Sequence, residues 1–334
     1  MTRRKEIGLA TLGVCVVLVV GCQTTWYGQA LRGQIEVMSA TQPCDEIIAD
    51  PNTPDDLRQR LLLVAEILEF AENDLQLPNG GNYTTYADLG RDAVLWAVFA
   101  TKSLEVEAKE WSYPIVGALG YRGYFREEDA EALAEKLDDK GLDVAVVPVP
   151  AYSTLGWMRD PVLNTFIDYK DADLAALIFH ELMHRKYYRP GDTEFSEALA
   201  VAIEQEGVER WLTSKGDTAG LAKYHQQEAK LMRFVQRLLD TRAELGELFE
   251  TDLSDDEKLA KKSELLGGLQ KEIRELMRAA GKTEEDTFWL RDEINNAHLN
   301  IAAAYFLRVP EFQEALENVG GDLTQFYVNL DEMR

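Results

Sequence analysis

Residues 174–184 read Leu-Ala-Ala-Leu-Ile-Phe-His-Glu-Leu-Met-His. Asp173 precedes this stretch, and its apolar residues recur at helical spacing, so we expect a helix over 174–188 that begins at this aspartate. Residues four positions apart on a helix differ by about 40° around its axis and therefore share a face. The stretch thus predicts a buried helix that points His180 and His184 in one direction.

The two histidines belong to an H-E-x-x-H motif. They can occupy two corners of a tetrahedral Zn²⁺ site, and Glu181 lies beside them, where it can take the proton of an attacking water. The chain has only four histidines, and two of them fall in this motif. We interpret the other two, His225 and His298, as ordinary surface or core residues. The motif therefore predicts zinc with Glu181 as the general base; a hydrogen-bonded core pair is the alternative.

A catalytic zinc needs a third protein ligand and one open position. A motif extended by a third histidine is excluded, because positions 187 and 190 are tyrosine and proline. The next predicted helix, over about 192–207, contains Glu197 among apolar neighbours, and a buried carboxylate needs a partner. We therefore predict Glu197 as the third ligand, with Glu194 as the competing candidate. Glu204 lies on the same helical stripe and is the candidate for orienting an imidazole.

The amino terminus has the features of an export signal. Three basic residues, 3–5, precede an apolar stretch over 9–20, which has the length of a signal peptide and is short for a membrane span. The stretch ends Val19-Val20-Gly21-Cys22, which resembles the lipobox of bacterial lipoproteins. We expect residues 1–21 to be removed and Cys22 to be lipidated. A plain amino-terminal membrane anchor is the alternative.

These features predict a location in the bacterial cell envelope, with the chain held to the membrane by lipid. Gln23 follows the cysteine, and by resemblance to enterobacterial sorting rules this favours the periplasmic face of the outer membrane. Cys15 leaves with the signal peptide, so Cys44 has no partner for an intramolecular disulfide. The net charge of −24 excludes nucleic acid as a partner, because little in the chain would neutralise phosphates.

The helical patterns divide the chain into parts. In chain order we predict a signal peptide at 1–21, a helical N-terminal part at 22–110, a catalytic core at 111–212, a helical hairpin at 213–280 and a C-terminal helical part at 281–334.

Local patterns within these parts predict individual elements. We expect helices at 57–71, 92–106, 127–137, 218–250, 254–280 and 284–307, and strands at 144–149, 152–155 and 163–169. Pro148 and Pro150 place their strand at the edge of a sheet, since proline cannot donate to a ladder.

A peptidase must also hold its substrate and stabilise an oxyanion. An edge strand over the site helix could bind a peptide backbone by strand addition, and the sequence order suggests Ala151, Tyr152 and Ser153 for this role. Tyr152, Tyr187 and Tyr305 are the candidate oxyanion donors, although packing is an alternative role for each of them.

Several motifs together resemble the bacterial predicted-aminopeptidase family of zinc-dependent lipoproteins. They are Gly-Ala-Leu-Gly-Tyr-Arg-Gly-Tyr-Phe at 117–125, Ala-Tyr-Ser-Thr-Leu-Gly-Trp at 151–157, Asp160-Pro161, the site helix, Phe195-Ser196-Glu197, Asn295-Asn296-Ala297 and Tyr305. The resemblance implies a zincin-like core with a glutamate as third ligand, as in gluzincins, and it adds Asn296 to the substrate-binding candidates. Two features depart from the pattern: Ser196 replaces the usual asparagine, and the Gly-x-Met-x-Asn segment of gluzincin aminopeptidases is absent.

Taken together, the sequence predicts a mostly helical α+β protein with a zincin-like metallopeptidase core, a small edge sheet and an inserted helical hairpin. We expect it to hydrolyse peptide bonds in a peptide or protein substrate with Zn²⁺ as cofactor. Two alternatives remain open: a non-catalytic envelope lipoprotein with structural zinc, and an endopeptidase rather than an aminopeptidase. The sequence predicts no oligomeric state.

Overall fold

The structure is a computed structural model that describes residues 26–113, 117–283, 288–291 and 293–333. The expected signal peptide and Cys22 lie outside these residues. The described chain is α+β, mostly helical with small sheets, which confirms the predicted fold class at that level. Within the described ranges, no helix combines the length and the apolar composition needed to cross a membrane.

The helices account for most of the described chain. They are α1 at 26–39, α2 Cys44–Ala49, α3 Asp55–Asn73, α4 Glu127–Asp138, α5 Asp171–Lys186, α6 Thr193–Ser214, α7 Thr218–Phe249, α8 Asp255–Ala279, α9 Phe288–Arg291, α10 Asn296–Phe306, α11 Val309–Asn318 and α12 Leu323–Asn329, followed by a 3-10 turn at Leu330–Glu332.

The strands are short and form three small sheets. They are β1 Gln42–Pro43, β2 Thr85–Ala87, β3 Leu95–Lys102, β4 Trp111–Tyr113, β5 Gly117–Leu119, β6 Tyr121–Tyr124, β7 Leu142–Val149 and β8 Val162–Leu163, in the orders β1-β2-β8, β6-β3-β7 and β4-β5.

The two site helices, α5 and α6, form the centre of the main core. Ile178 and Phe179 of α5 and Phe195 and Leu199 of α6 are all essentially inaccessible to solvent and belong to one apolar cluster. The Asp192 carboxylate caps α6 by accepting a hydrogen bond from the Phe195 amide at 3.0 Å. Burial on several sides explains why α5 is apolar nearly all round, and it places the histidines of α5 inside the protein.

The central strand β3 corrects one prediction. The sequence pattern over 92–106 predicts a helix, but Leu95–Lys102 pairs antiparallel with both β6 and β7. One face of β3 packs on α4, and the other faces α10. A strand buried on both faces is a continuous apolar run, which periodicity cannot distinguish from a buried helix. The N-terminal part is therefore not all helical.

The other predicted strands have different outcomes. The strand at 144–149 is confirmed as part of β7, and its edge position is confirmed because β7 pairs with β3 alone among the described strands. The strand predicted at 152–155 is wrong, since this segment is an irregular loop whose Thr154 amide donates to the Asp160 carboxylate. The strand predicted at 163–169 ends after Leu163, where main-chain hydrogen bonds form turns through Tyr169.

The predicted hairpin corresponds to α7 and α8, although α6 extends to Ser214. Ser254 begins α8 with a capping box closed by Glu257. Lys262 of α8 is buried and donates to Asp143 of β7 at 2.5 Å, and its ammonium also donates to the Ser103 carbonyl at 2.9 Å. The hairpin is thus joined to the central sheet by an ion pair between the buried Lys262 and the partly buried Asp143. The helix predicted at 284–307 starts on residues 284–287, which lie outside the described ranges; residues 293–295 are not helical, and α10 begins after its cap Asn295.

Candidate metal centre

Two imidazole nitrogens and one carboxylate oxygen converge where α5 crosses α6. Nε2 of His180 lies 3.1 Å from Nε2 of His184, and Oε2 of Glu197 lies 3.2 Å from each of these nitrogens. All three residues are buried and form a group able to hold a metal ion. The two histidines reach the point from one face of α5, and the glutamate reaches it from the facing turn of α6.

The triangle of donor atoms has the size that a metal site requires. A tetrahedral site with metal–ligand bonds of about 2.05 Å has its ligand atoms about 3.3 Å apart. The observed separations of 3.1 and 3.2 Å agree closely with that edge length. Two imidazole nitrogens and one carboxylate oxygen fill three corners, and within the described ranges no fourth ligand residue joins the group. The residues present therefore fit a metal ion with one open position.

Glu204 lies behind the first histidine. Its Oε2 is 2.8 Å from Nδ1 of His180. Because an ionised carboxylate can only accept, Nδ1–H donates to it, and Nε2 is the ring nitrogen left to bind a cation once its own proton is lost. Glu204 therefore contacts His180, the candidate ligand on the other helix, through the ring nitrogen that does not meet Glu197.

The charges at the centre favour a cation. Burial alone would lower the pKa of His180, but the carboxylates of Glu197 and Glu204 accept hydrogen bonds from its ring and raise this pKa well above its usual range. Burial would raise the pKa of Glu197, but the charges and hydrogen bonds of His184 and His180 hold it far below its usual range. Glu197 is therefore ionised, and the site favours positive charge at the point where the histidines meet.

Glu181 is adjacent to the triangle but is not part of it. Its side chain is buried, and its Oε2 has no hydrogen-bond partner among the described residues. Burial raises the pKa of this carboxyl above its usual value, although the neighbouring histidines oppose the shift. A buried carboxyl with a free oxygen and a raised pKa has the properties of a general base.

Glu194, the competing ligand, lies elsewhere. It faces a separate pocket of about 270 Å³ that also contains Glu107 and Asp192, and it is not in the group able to hold a metal. Glu194 and Glu197 are three positions apart, yet only Glu197 faces α5. The direction of each side chain from α6 decides which carboxylate meets the histidines.

A cleft of about 390 Å³ opens onto the centre. Its walls include Glu181 and the three candidate ligands, together with the face of the central sheet that is opposite α4. The sheet contributes mainly apolar residues, which are Leu95, Ala97 and Phe99 of β3, Tyr121 and Gly123 of β6, and Val147, Pro148 and Val149 of β7. A metal ion at this point would therefore face a cleft with apolar walls.

The segment expected to bind substrate lies along this cleft. Ala151, Tyr152 and Ser153 line it together with Leu155, but as an irregular loop and not as a strand. The carboxylate of Asp160 accepts the Thr154 amide at 3.1 and 3.2 Å and thereby holds the loop. The edge strand along the cleft is β7, which precedes this loop in the sequence.

The three tyrosines expected as oxyanion donors have different environments. The ring of Tyr305 stacks on His180, with centroids 6.1 Å apart, and lines the cleft. Burial and the nearby Glu197 raise the pKa of Tyr305 well above its usual value, so its hydroxyl stays protonated and can donate. The hydroxyl of Tyr152 already donates to Gln34 at 2.5 Å. Tyr187 is not along the cleft, and its hydroxyl donates to Asp331 at 2.9 Å.

Two placements were not expected from the sequence. Asn296 does not line the cleft; its amide donates to the main-chain carbonyls of Ser103 and Glu105, so it holds the start of α10 against the chain after β3. Tyr188 and Tyr121, which were not candidates, both line the cleft. Tyr188 follows His184 by four positions, a spacing that could have identified it. Nothing in the local sequence around Tyr121 indicates that β6 faces the metal centre.

Comparison with known proteins assigns the chain to a protein family. No curated protein and no solved structure matches the chain. One family model, described as "Putative aminopeptidase", matches residues 25–334, which is nearly the whole chain and includes every residue of the centre. A family so described suggests hydrolase chemistry on peptides. The chain therefore belongs to the family so described.

Proposed function

We propose that the protein is a zinc-dependent peptidase whose ion is held by His180, His184 and Glu197. The observation that supports this most directly is the donor triangle with 3.1–3.2 Å edges next to a buried carboxyl that has a free oxygen. Two imidazoles and a carboxylate are a ligand set that Zn²⁺ accepts in hydrolytic sites. A zincin-like core, with both histidines on one helix and the glutamate on the next, is part of the same proposal.

The chain's own residues perform the proton transfers in this proposal. When bound, zinc supplies Lewis-acid polarisation of the scissile carbonyl and lowers the pKa of the attacking water. Glu181 accepts a proton from the water at its free Oε2 and later donates it to the leaving amine. Tyr305, which stays protonated, donates a hydrogen bond to the developing oxyanion. Glu204 acts through His180 by fixing the orientation of its imidazole.

The cleft favours a peptide with apolar side chains. Its sheet face is apolar, and Leu155 contributes to the wall formed by the loop. The main chain of a bound peptide would run beside β7, the edge strand, and beside the loop residues that follow it. We propose this orientation as the way in which the scissile bond reaches Glu181.

The decisive experiment separates catalysis from metal binding. Glu181→Gln should retain zinc and the native circular dichroism spectrum, but should lower peptide turnover by about 100- to 10,000-fold, the usual contribution of a general base. Glu194→Gln is the matched control and should leave turnover unchanged, because that residue faces another pocket. If wild-type protein loaded with zinc cleaves no peptide in a diverse library, the proposal is wrong.

The same assay addresses the two alternatives. A purely structural zinc would not require a buried carboxyl with a free oxygen, and Glu181 is such a group. Paired peptides with free and acetylated amino termini separate the modes of cleavage: an aminopeptidase acts only on the free form, whereas an endopeptidase accepts both. We propose the aminopeptidase mode, in keeping with the family.

We propose further that the chain is a lipid-anchored envelope protein on the periplasmic face of the outer membrane. The Val-Val-Gly-Cys sequence at 19–22, after an apolar stretch of signal-peptide length, supports this proposal. Cys22→Ser should abolish incorporation of radiolabelled fatty acid, and Cys44→Ser is the matched control that should leave labelling unchanged. Labelling that persists in Cys22→Ser would refute the anchor.

A further inference from the structure

The first described helix, α1, has an exposed apolar stripe. Four of the thirteen exposed large hydrophobic residues among the described part of the chain fall within its length. They are Tyr27, Leu31, Ile35 and Met38, which are 40%, 64%, 56% and 36% exposed. Spacings of four, four and three positions place them on one side of the helix. Scattered exposed apolar residues are normal in proteins, but a helical stripe is a contact surface.

The rest of α1 explains why this stripe points outward. Gly33 and Val37 face the protein and are buried, and a Cβ atom at Gly33 would lie 2.0 Å from the Phe125 ring. The Trp26 indole donates to the carbonyl of Gly123 at 3.0 Å on the same inner side. The helix is therefore held closely against the start of the catalytic region. Its stripe cannot turn inward without breaking these contacts.

The helix that carries the stripe has no net charge, unlike the acidic chain as a whole. The only charged residues of α1 are Arg32 and Glu36, which cancel, whereas the whole chain has a net charge of −24. Both charged residues lie on a separate exposed face, beside the stripe and not within it. An amphipathic helix without net negative charge can approach an anionic lipid surface that the remaining acidic surface would avoid.

Aromatic residues surround the beginning of the helix, where the inner side of α1 meets the stripe. Trp26 lies 5.0 Å from Tyr27 and 4.8 Å from Tyr113 between ring centroids, and the Arg122 guanidinium lies 4.8 Å from the Trp26 ring. Tryptophan and tyrosine favour the layer between lipid headgroups and acyl chains, and arginine pairs with headgroup phosphates. This end of α1 has the composition of an interfacial contact.

The chain length before α1 identifies the occupant of the stripe. Cys22, the proposed lipid anchor, precedes Tyr27 by five residues, which span at most about 18 Å. The stripe therefore cannot lie far from the bilayer that holds the lipid. We propose that the apolar face of α1, Tyr27, Leu31, Ile35 and Met38, lies in the interfacial layer of that bilayer and fixes the orientation of the catalytic cleft above it. This inference rests on the proposed anchor and is independent of the peptidase activity.

The test uses spin labels on the lipidated full-length protein bound to vesicles of phosphatidylethanolamine and phosphatidylglycerol. Labels are placed by Leu31→Cys and Ile35→Cys on the stripe and by Arg32→Cys and Glu36→Cys on the polar face, each in a Cys44→Ser background. Oxygen partitions into the bilayer, whereas a nickel chelate stays in water. Stripe labels should lose access to nickel and gain collisions with oxygen on vesicle binding, while the polar-face labels should remain accessible to nickel.

A charged double variant gives an independent check. Leu31→Glu with Ile35→Glu should restore nickel access at a label placed by Met38→Cys. The matched pair Leu259→Glu with Leu276→Glu, at exposed leucines of α8, should leave that label protected.

Three outcomes would overturn the inference, and they can be distinguished. Equal nickel access at all four labels on vesicle-bound protein would show that the stripe does not touch lipid. Protection from both reagents with spin–spin broadening would show that a second copy of the chain covers the stripe. Protein that fails to bind vesicles would show that the anchor itself is absent.

Discussion

Nδ1 of His180 on α5 lies 2.8 Å from Oε2 of Glu204 on α6, although 24 positions separate the two residues in the chain. This contact leaves Nε2 of the same ring directed at His184 and Glu197. The orientation of one candidate ligand is thus set by Glu204, which is not itself one of the three candidate ligands. Such outer partners keep the imidazole in the tautomer that a metal requires.

We expect Glu204→Gln to weaken zinc binding without abolishing it. Glutamine is close in size but lacks the charge, so the stabilisation of the bound imidazole falls and affinity should decrease by about 10- to 100-fold. Competition with a chromophoric chelator measures the change. Glu209→Gln, an exposed change on the same helix, is the control. Unchanged affinity in Glu204→Gln would mean that the contact with His180 does not support the metal.

Replacing the third candidate ligand should have a larger effect. Glu197→Gln removes an ionised donor, so zinc content after dialysis and peptidase activity should fall together, as they should for His180→Ala and His184→Ala. Glu194→Gln, three positions earlier on the same helix, should retain about one zinc per chain, as a single site requires. The measurement is metal analysis of purified protein. Loss of zinc from Glu194→Gln with retention in Glu197→Gln would contradict the geometry of α6.

The ion pair between the hairpin and the sheet should dominate the stability of that junction. Lys262→Met leaves the partly buried Asp143 carboxylate with only the Asn296 main-chain amide as donor, and it should lower the free energy of unfolding by about 1–3 kcal/mol. Lys261→Met, an exposed change at the adjacent position, should stay within about 0.5 kcal/mol. Urea denaturation followed by circular dichroism measures both. A small effect of Lys262→Met would show that the hairpin is held by its apolar contacts alone.

Two glycines inside helices should respond in opposite ways to alanine. A Cβ atom at Gly207 of α6 would lie 2.7 Å from the Phe179 ring and 2.8 Å from Leu75, so Gly207→Ala should cost about 1–3 kcal/mol through overpacking. At Gly267 of α8 a Cβ atom meets nothing within 4 Å, and Gly267→Ala should stabilise by up to about 1 kcal/mol through helix propensity. Thermal unfolding of both variants gives the two signs. Stabilisation by Gly207→Ala would show that the core around α5 has space for an added methyl group.

In this protein, local sequence predicts the features that depend on residues only a few positions apart, such as helices and the faces that they bury. The 3.6-residue period makes 174–184 an apolar helix and turns His180 and His184 to one face, and the helical hairpin follows from the same periodicity. The apolar residues around Glu197 predict its burial before any fold is known. These features depend on short-range helix geometry, which is set by the residues of the segment itself and not by its distant neighbours.

The remaining features depend on contacts between segments that are distant in the chain. The free energy of such a contact depends on which two surfaces pack together. The run at 95–102 becomes a strand since β6 and β7 supply its hydrogen bonds, although its composition also suits a buried helix. Tyr121 reaches the cleft only because β6 joins the same sheet face, whereas Asn296 is used at the start of α10. Glu197 meets the histidines and Glu194 does not because the packing of α5 on α6 selects one side of that helix. The apolar neighbours of Glu197 indicate that it is buried, but they do not indicate which helix its carboxylate meets.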